Sequence, residues 1–196
     1  MIKKYVKKEV DKAIKHIWLH QMCDEYGYGY FLLERSIQCS FYHHLRNALQ
    51  PLLDEHNLYI YPELYFKDLG YYADIAIVEM DMSIESCQLA DRLTDIAAII
   101  EIKYGGSADY IKTDIPKMKT YIQNLDYDCQ YYFVSIDEKS TRSRLNWIDG
   151  RSINNWANGR FTELNAGWID DTMYFEINSY NRMNIQNKSA ICYFEW

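Results

Sequence analysis

A short run of strand-forming residues near the middle of the chain carries two charges. The segment 97–104 reads AAIIEIKY, and such an apolar run predicts a buried β-strand. Successive side chains of a strand point to opposite faces, so Glu101 and Lys103 share one face while Ile100 and Ile102 share the other. The two charges are therefore either an ion pair at the end of a strand or part of a functional site.

The hydrophobic patterns on either side of this strand predict one sheet with helices. Apolar residues recur at helical spacing in the N-terminal segment and again after residue 30, and β-rich runs follow. The predicted order is helix, three strands, helix, strand, which indicates a mixed α/β or α+β layer around one sheet. The predicted elements are a basic amphipathic helix at 1–23, a helix at 30–49 ended by Pro51, strands at 58–66, 71–80 and 96–104, a helix from Asp114 to about Asn124, and a strand at 129–136.

Turn signals predict how some of these elements connect. The tetrapeptide KDLG between the first two strands predicts a hairpin connection, and the acidic stretch 81–95 predicts a loop or short helix. Residues 138–196 form a C-terminal extension, in which Asn158 and Gly159 predict a tight hairpin and TMYFEI and AICYFEW predict short strands. We expect a single domain with its core at 30–137.

Composition limits the classes of protein to which the chain can belong. Its 48% hydrophobic and 25% charged content is typical of a globular protein, and no segment approaches the roughly 18 apolar residues of a membrane span. The five cysteines are scattered without a CxxC pair, which argues against a disulfide framework and a zinc ribbon. We expect a cytoplasmic protein with no membrane partner and no organic cofactor.

Charge is distributed unevenly along the chain. The net charge of −7 would repel a polyanion, but the first helix is rich in lysine. Such a helix face could contact phosphate, although a lysine-rich face is more often merely solvated. Overall charge therefore neither supports nor excludes a nucleic-acid partner.

Two further carboxylates fall on segments that otherwise look buried. The helical pattern at 30–49 places Glu34 on the apolar stripe, and Asp74 stands at the start of the apolar run IAIV. Burying a carboxylate without a partner costs several kcal/mol, so each should meet a metal, a hydrogen-bond donor or a solvent-filled cleft. If the second and third strands are neighbours, Asp74 and Glu101 can converge on one point.

This set of side chains suits phosphodiester hydrolysis. Magnesium prefers oxygen ligands, often one or two carboxylates with water and a substrate phosphate completing the octahedron. A bound ion lowers the pKa of its water and offsets charge that builds on the phosphate, and a nearby ammonium can orient that water. Two carboxylates and one lysine are the minimum set for this chemistry.

At residues 30–137 the sequence resembles the PD-(D/E)XK nuclease superfamily. The resemblance rests on a helix with an acid, a strand, ADIAIV, then IIEIK followed by a helix and a strand. It implies an α/β (α+β) fold with a restriction-endonuclease-like αβββαβ core, a mixed sheet flanked by helices and the C-terminal extension. Ala73 stands where the proline that names the family would be, and 81–95 would be an insertion.

The resemblance also assigns roles to individual residues. It implies that Asp74 and Glu101 bind the metal together with the backbone carbonyl of Ile102, that Lys103 is the catalytic lysine, and that Glu34 is the accessory acid of the metal site. The cofactor would be Mg²⁺, with Mn²⁺ as a substitute. Lysines around the following helix could contact the phosphate backbone; these are Lys112, Lys117 and Lys119.

The expected function is therefore a metal-dependent nuclease, an endo- or exodeoxyribonuclease that hydrolyses DNA and leaves a 5′-phosphate. Double-strand cutting would favour a homodimer with two active sites. One alternative is a catalytically inactive member of the same fold that binds nucleic acid or a protein partner. A second is a structural α/β interaction protein, in which Asp74 and Glu101 would point apart.

Simpler interpretations remain for several of these residues. Glu101 and Lys103 could form an exposed ion pair worth about 0 to 1 kcal/mol. His16 and His20 are one helical turn apart and could be half a zinc site, but no third ligand is evident. Glu63 is an outward strand residue in preference to a metal-site acid. The 19 tyrosines could stack on bases, but most are expected to complete the core and its rim.

Overall fold

The computed structural model describes residues 1–105, 108–138, 147, 156–157, 159–169, 172–180 and 187–188. The helices are α1 (Lys4–Ile17), α2 (Cys23–Gly27), α3 (Glu34–His56), α4 (Ala108–Ile111) and α5 (Ile115–Asn124). The strands are β1 (Leu58–Phe66), β2 (Tyr71–Met80), β3 (Leu93–Tyr104), β4 (Gln130–Asp137), β5 (Phe161–Ile169), β6 (Thr172–Tyr180) and β7 (Asn187–Lys188). A π-helical turn (Trp18–Met22) joins α1 to α2, and 3₁₀ turns precede β3 and α5 (Leu89–Arg92 and Lys112–Asp114).

The strands form one mixed sheet in chain order from β1 to β7. Strands β1, β2 and β3 are antiparallel neighbours, β3, β4 and β5 run parallel, and β5, β6 and the two-residue β7 are antiparallel again. The crossover from β3 to β4 passes through α4 and α5, as a parallel connection requires. The predicted order of helix, three strands, helix, strand and the general α+β class are confirmed.

Helices cover both faces of this sheet. Ile100 and Ile102 are buried in the cluster that contains the apolar stripes of α1 and α3, whereas Ile99 is buried with Met118 and Tyr121 of α5. The side chains of β3 therefore alternate between two separate hydrophobic layers, as the sequence predicts. The charged side chains of β3 therefore belong to a strand whose two faces are both covered by packed side chains.

The basic N-terminal segment is the predicted amphipathic helix. Val6, Val10, Ile14 and Ile17 are buried on one side of α1, and the helical conformation continues past residue 23 to the end of α2. Some lysines of α1 pair with acids of the same helix. Lys7 instead reaches the sheet, where its Nζ lies 3.5 Å from Oδ2 of Asp95 in β3.

Helix α3 differs from the prediction at both ends. It begins at Glu34, where the Ser36 hydroxyl accepts a hydrogen bond from the Leu33 amide at 3.3 Å. It does not end before Pro51 but continues to His56, because the apolar stripe extends through Leu49 and Leu53 and packing outweighs the backbone hydrogen bond that the proline lacks. Asn57, in the left-handed region with φ 50°, ends the helix instead.

The predicted β1–β2 hairpin is confirmed and contains one irregularity. Gly70 has φ 70° and donates its amide hydrogen bond to the Phe66 carbonyl at 2.9 Å. Glu63 has φ 53°, an unusual backbone conformation for a residue other than glycine. The register pairs Pro62 with Ile75 and Leu64 with Ala73, so this irregularity lies opposite Asp74.

The C-terminal part widens the same sheet. TMYFEI lies in β6 as predicted, and β5 and β6 are nine residues each. The hairpin predicted at Asn158 and Gly159 lies partly outside the described residues, which omit Asn158; the strand that follows it, β5, runs parallel to β4. The strand predicted for AICYFEW also lies outside them.

No helix among the described ranges has the length and apolarity needed to cross a membrane.

Candidate metal and active site

Two neighbouring strands bring Asp74 and Glu101 together. Ile75 pairs with Ile100 in the antiparallel register of β2 and β3, so the next positions along the ladder are Asp74 and Glu101. The Asp74 carboxylate turns toward β3, and its Oδ2 accepts a hydrogen bond from the backbone amide of Ile102 at 2.6 Å. The expectation that the two strands are neighbours and bring these acids together is confirmed.

Glu101 is fully buried, with 0% exposure. Its Oε2 accepts a hydrogen bond from Lys117 Nζ of α5 at 2.6 Å. Its Oε1 is buried and makes no hydrogen bond of ordinary geometry in the described residues, although the buried Tyr121 hydroxyl of α5 is close enough to interact with the Glu101 carboxylate. Burial raises the pKa of the Glu101 carboxyl well above its usual range, the nearby Asp74 carboxylate raises it further, and Lys117 opposes both effects. The site thus leaves one buried oxygen without a hydrogen bond of ordinary geometry, which is a costly arrangement in a protein interior.

Asp74 is half-buried, and burial raises its pKa to about 6. The Ile102 amide and the Lys117 ammonium lower that pKa, while Asp114 and Glu63 raise it. Two acids with raised pKa values, one beside the other, form a locus where positive charge is stabilised. A divalent cation there would lower the pKa of both.

Lys103 lies on this face but pairs with other acids. Its ammonium is 3.1 Å from Asp114 Oδ2 and 3.5 Å from Glu34 Oε1, and it lies 4.9 Å from the centre of the Tyr110 ring. Burial would lower its pKa, but Asp114 and then Glu34 reverse this effect and raise it. The interpretation of Glu101 and Lys103 as a strand-end ion pair is not what the structure has, since Glu101 pairs with Lys117.

Glu34 lies on the side of α3 that carries the apolar stripe, three residues before Ile37 and seven before Phe41, as the sequence predicts, but it stands at the exposed end of that stripe. Because α3 begins at residue 34, Glu34 occupies the first turn, and its side chain is 36% exposed. It accepts a hydrogen bond from the Tyr110 hydroxyl at 2.8 Å. The first turn of a helix favours a carboxylate, so Glu34 is stabilised there without a metal. Its direct contacts in the site are Tyr110 and Lys103.

Three acids, although not Glu101, border a cavity of about 450 Å³. Glu34, Asp74 and Glu63 lie in its wall, as does the backbone segment at Ile102. The remaining lining side chains are Leu32, Leu33, Arg35, Gln38, Tyr104 and Tyr110.

A hydrogen-bonded network holds one wall of this cavity. Glu63 accepts hydrogen bonds from Arg35 at 3.0 Å and from Gln38 at 2.9 Å. Gln38 also donates to the Asp74 carbonyl at 2.6 Å. The carboxylate of Glu63 is therefore directed at α3, and the network ties α3 to the backbone of Asp74.

The donor set fits a hard cation bound by few protein ligands. Asp74 and Glu101 supply carboxylate oxygens, and Oε1 of Glu101 is the atom that a cation would satisfy. Within the described ranges no group of three or more His, Cys, Asp and Glu side chains could hold a metal. A cation here would therefore rely on water, substrate oxygens or backbone carbonyls for its other ligands, and the role of the Ile102 carbonyl stays a prediction.

Sequence reasoning missed two of the charged groups that shape the site. The sequence places Lys117 among the lysines that could contact phosphate, but in the structure it pairs with Glu101. It places Asp114 at the start of a helix, but the Asp114 carboxylate also binds Lys103. The signal available was the segment TDIPK, which places both charges in the first turns around α5, the helix that the topology puts over β3.

Comparisons with protein-family models, with curated proteins and with solved structures give no match.

Proposed function

We propose that this protein is a metal-dependent phosphodiesterase with its active site at Asp74 and Glu101. The observation that carries the proposal is the fully buried Glu101 carboxylate, one oxygen of which has no hydrogen bond of ordinary geometry among the described residues. Glu101 neighbours Asp74, and Asp74, although not Glu101 itself, lies in the wall of a cavity. A buried unpaired oxygen is unfavourable unless a ligand uses it. Two carboxylates are the usual protein contribution to a magnesium site at a phosphate.

More specifically, the protein is a nuclease whose substrate is DNA. Support comes from the resemblance to the PD-(D/E)XK superfamily, in which the acids and the lysine of ADIAIV and IIEIK carry the reaction. Helix α3, strands β1, β2 and β3, helix α5 and strand β4 follow one another in the order that this resemblance implies. A restriction-endonuclease-like core is part of this proposal.

Asp74 and Glu101 would hold Mg²⁺, or Mn²⁺ in its place. When bound, the ion lowers the pKa of a water molecule and offsets negative charge on the phosphate. The Ile102 amide fixes the Asp74 carboxylate at 2.6 Å, so the ligand is oriented before substrate arrives. Water would add to phosphorus and lose a proton to solvent, and the bond from phosphorus to the 3′ oxygen would break while that oxygen takes up a proton from solvent. One product would then carry a 5′-phosphate and the other a 3′-hydroxyl.

The two lysines have different tasks in this proposal. Lys117 neutralises Glu101 in the metal-free protein through their 2.6 Å contact. Lys103 orients the attacking water, and Glu34 supports it by fixing the position of its ammonium at 3.5 Å. Tyr110 in turn binds Glu34, so the lysine is positioned from two sides before a substrate binds.

Calorimetric titration with Mg²⁺ and Mn²⁺ tests the metal site. We expect saturable binding by the native protein and its loss in Asp74→Ala. The matched control is Glu85→Gln, which removes an exposed acid from the 81–92 loop and should bind metal as the native protein does. Native protein that binds neither ion would contradict the proposal.

Hydrolysis is tested on plasmid DNA, on single-stranded DNA and on bis(p-nitrophenyl) phosphate. Lys103→Ala should lose cutting while it keeps metal binding, and the exposed Lys8→Ala of α1 is the matched control. If Lys117→Ala abolishes cutting while Lys103→Ala does not, the roles of the two lysines are exchanged and the phosphodiesterase proposal stands.

A second candidate function is supported by one contact. The Lys117 ammonium already supplies a positive charge to Glu101 at 2.6 Å, as it would in a member of the same fold that binds nucleic acid or protein without cutting. That protein would bind no divalent ion at Asp74 and would hydrolyse none of the three substrates.

A further inference from the structure

The exposed aromatic and aliphatic side chains are concentrated around the candidate site. Of the twelve large hydrophobic side chains that are exposed among the described residues, eight lie in three segments next to the cavity. These segments are the loop before α3, the β1–β2 hairpin and α4. Single exposed apolar residues are ordinary on a protein surface, but a concentration of them beside a cavity marks an interaction surface.

The loop before α3 exposes two tyrosines and two leucines. Tyr28 and Tyr30 are each 66% exposed, and their ring centres are 6.1 Å apart. Leu32 and Leu33, which follow at once, are exposed and line the cavity. The loop therefore leads an apolar surface from solvent to the wall that contains Glu34 and Asp74.

The β1–β2 hairpin exposes a second pair of rings. Tyr65 and Tyr72 are cross-strand partners with ring centres 4.6 Å apart, and they are 45% and 53% exposed. Tyr72 precedes Asp74 by two residues, which is about 7 Å along a strand. Tyr110 belongs to the third of these segments, α4. Its side chain is 43% exposed and lines the cavity.

We infer that these tyrosines bind the unpaired bases of a single-stranded nucleic acid whose phosphate enters the Asp74 and Glu101 site. Exposed rings give sequence-tolerant stacking platforms, because every base has a π-face. In a duplex the bases are stacked on each other, and proteins reach them mainly by their edges in the grooves. Rings beside a phosphate site therefore favour a strand whose bases are free.

Charge favours the same substrate class over a duplex. Non-specific duplex binding depends on neutralising many phosphates with lysine and arginine, whereas the chain has a net charge of −7. The wall of the cavity carries three acids and Arg35. Stacking can supply binding energy here that a weak basic surface does not.

The inference rests on the proposed function and is tested by binding as well as by cutting. Fluorescence anisotropy would measure the affinity of the protein for a labelled 20-nucleotide single strand and for a duplex of the same sequence, both in the presence of Ca²⁺. We expect the single strand to bind at least about tenfold more tightly. A duplex that binds as tightly as the strand, or more tightly, would overturn the inference.

Variants separate the ring from its hydroxyl. Tyr72→Ala combined with Tyr65→Ala should weaken binding of the strand by about tenfold or more, whereas Tyr72→Phe keeps the ring and should bind as the native protein does. Tyr30→Ala, in the loop, repeats the test without disturbing the hairpin. The matched control is Tyr5→Ala, because Tyr5 is 50% exposed and contacts His56 at the opposite end of α3, roughly 30 Å from Glu34.

Hydrolysis of bis(p-nitrophenyl) phosphate distinguishes a failure of this inference from a failure of the proposed function, since that substrate has no base. Magnesium-dependent hydrolysis with strand binding unaffected by every Tyr→Ala variant would leave the phosphodiesterase and assign the aromatic surface to another partner. If the single strand binds through the tyrosine rings but bis(p-nitrophenyl) phosphate is not hydrolysed, the inferred binding surface stands and the proposed phosphodiesterase activity is contradicted.

Discussion

Two of the glutamates that the sheet buries on one face have no exposure at all, and their surroundings differ in kind. Glu101 of β3 and Glu163 of β5 are both 0% exposed. Each pairs in register with Phe133 of the intervening β4, so they are equivalent positions two strands apart. Sequence and burial alone do not distinguish them, and the difference lies in their partners.

Glu163 belongs to a hydrogen-bonded network. Its Oε2 accepts from the Tyr180 hydroxyl at 2.9 Å and from the Asn165 amide at 3.4 Å. Asn165 accepts in turn from Ser135 at 2.8 Å, and Ser135 accepts from Trp147 Nε1 at 2.7 Å. Neutral donors on β5 itself and on the neighbouring β6 hold this acid through Oε2, which gives it a role in specifying the fold.

Glu101 is instead bound by a charged lysine, which reaches its Oε2 from helix α5. Its Oε1 makes no hydrogen bond of ordinary geometry among the described residues. A buried acid is therefore not by itself a sign of function. The useful signs at Glu101 are an oxygen without a hydrogen bond of ordinary geometry among the described residues, a neighbouring acid, Asp74, whose pKa is raised to about 6, and a cavity whose wall contains Asp74.

The sharpest test of this comparison replaces each glutamate by its amide. Glu101→Gln should lower magnesium-dependent hydrolysis of bis(p-nitrophenyl) phosphate at least about a hundredfold, because a metal ligand is lost. Glu163→Gln should keep hydrolysis within about twofold of native, once folding is verified by circular dichroism. Equal losses in the two variants would show that the difference between the acids is not functional.

Bound Mg²⁺ should raise the free energy of unfolding through Glu101 and not through Glu163. At a Mg²⁺ concentration of about 100 times its Kd, binding adds about 2.7 kcal/mol to the free energy of unfolding. For a chain of this size that raises Tm by about 5 to 10 °C. Differential scanning calorimetry should find this shift in Glu163→Gln and not in Glu101→Gln; a shift in both variants would contradict the site.

The metal-free protein should lose stability as the pH rises through the titration of Asp74. The folded protein holds this proton up to about pH 6, while the unfolded chain releases it near the ordinary value of 3.8. The contribution of Asp74 is thus most favourable below pH 4 and falls by of order 2 to 3 kcal/mol by pH 7. Urea unfolding in EDTA should show this fall relative to Asp74→Asn, and parallel pH curves for the two proteins would argue against it.

The smallest effect is expected in the Glu163 network. Tyr180→Phe removes a donor from a buried carboxylate and should lower the free energy of unfolding by about 1 to 3 kcal/mol. Hydrolysis of bis(p-nitrophenyl) phosphate should not change, since the site lies two strands away. Loss of hydrolysis without loss of stability would place Glu163 in the active site and end the comparison.

Sequence patterns predicted the central elements closely. Strands β1 and β2 begin and end where the patterns place them, and α5 ends at Asn124. These elements could be predicted because their signals are local: a period of two, a glycine turn and a proline near the helix start each act over a few residues. The convergence of Asp74 and Glu101 followed from the single assumption that β2 and β3 are neighbours.

The ends of α3 and the extension could not be predicted in the same way. Pro51 is tolerated because Leu49 and Leu53 pack on the sheet, and that gain depends on the tertiary structure. The parallel pairing of β4 and β5 joins segments separated by more than twenty residues, and no turn signal specifies such a pairing.

The order of the elements, the alternation of β3 between two faces and the acids on the second and third strands follow from local sequence patterns. The pairing of the charged side chains depends on how those elements pack. This packing paired Lys117 with Glu101 and Lys103 with Asp114 and Glu34. It also gave Glu163 two neutral donors, whereas one oxygen of Glu101 has no hydrogen bond of ordinary geometry among the described residues. The physical reason is that hydrogen bonds and ion pairs act over about 3 to 4 Å, a scale that is set by packing between elements distant in the chain.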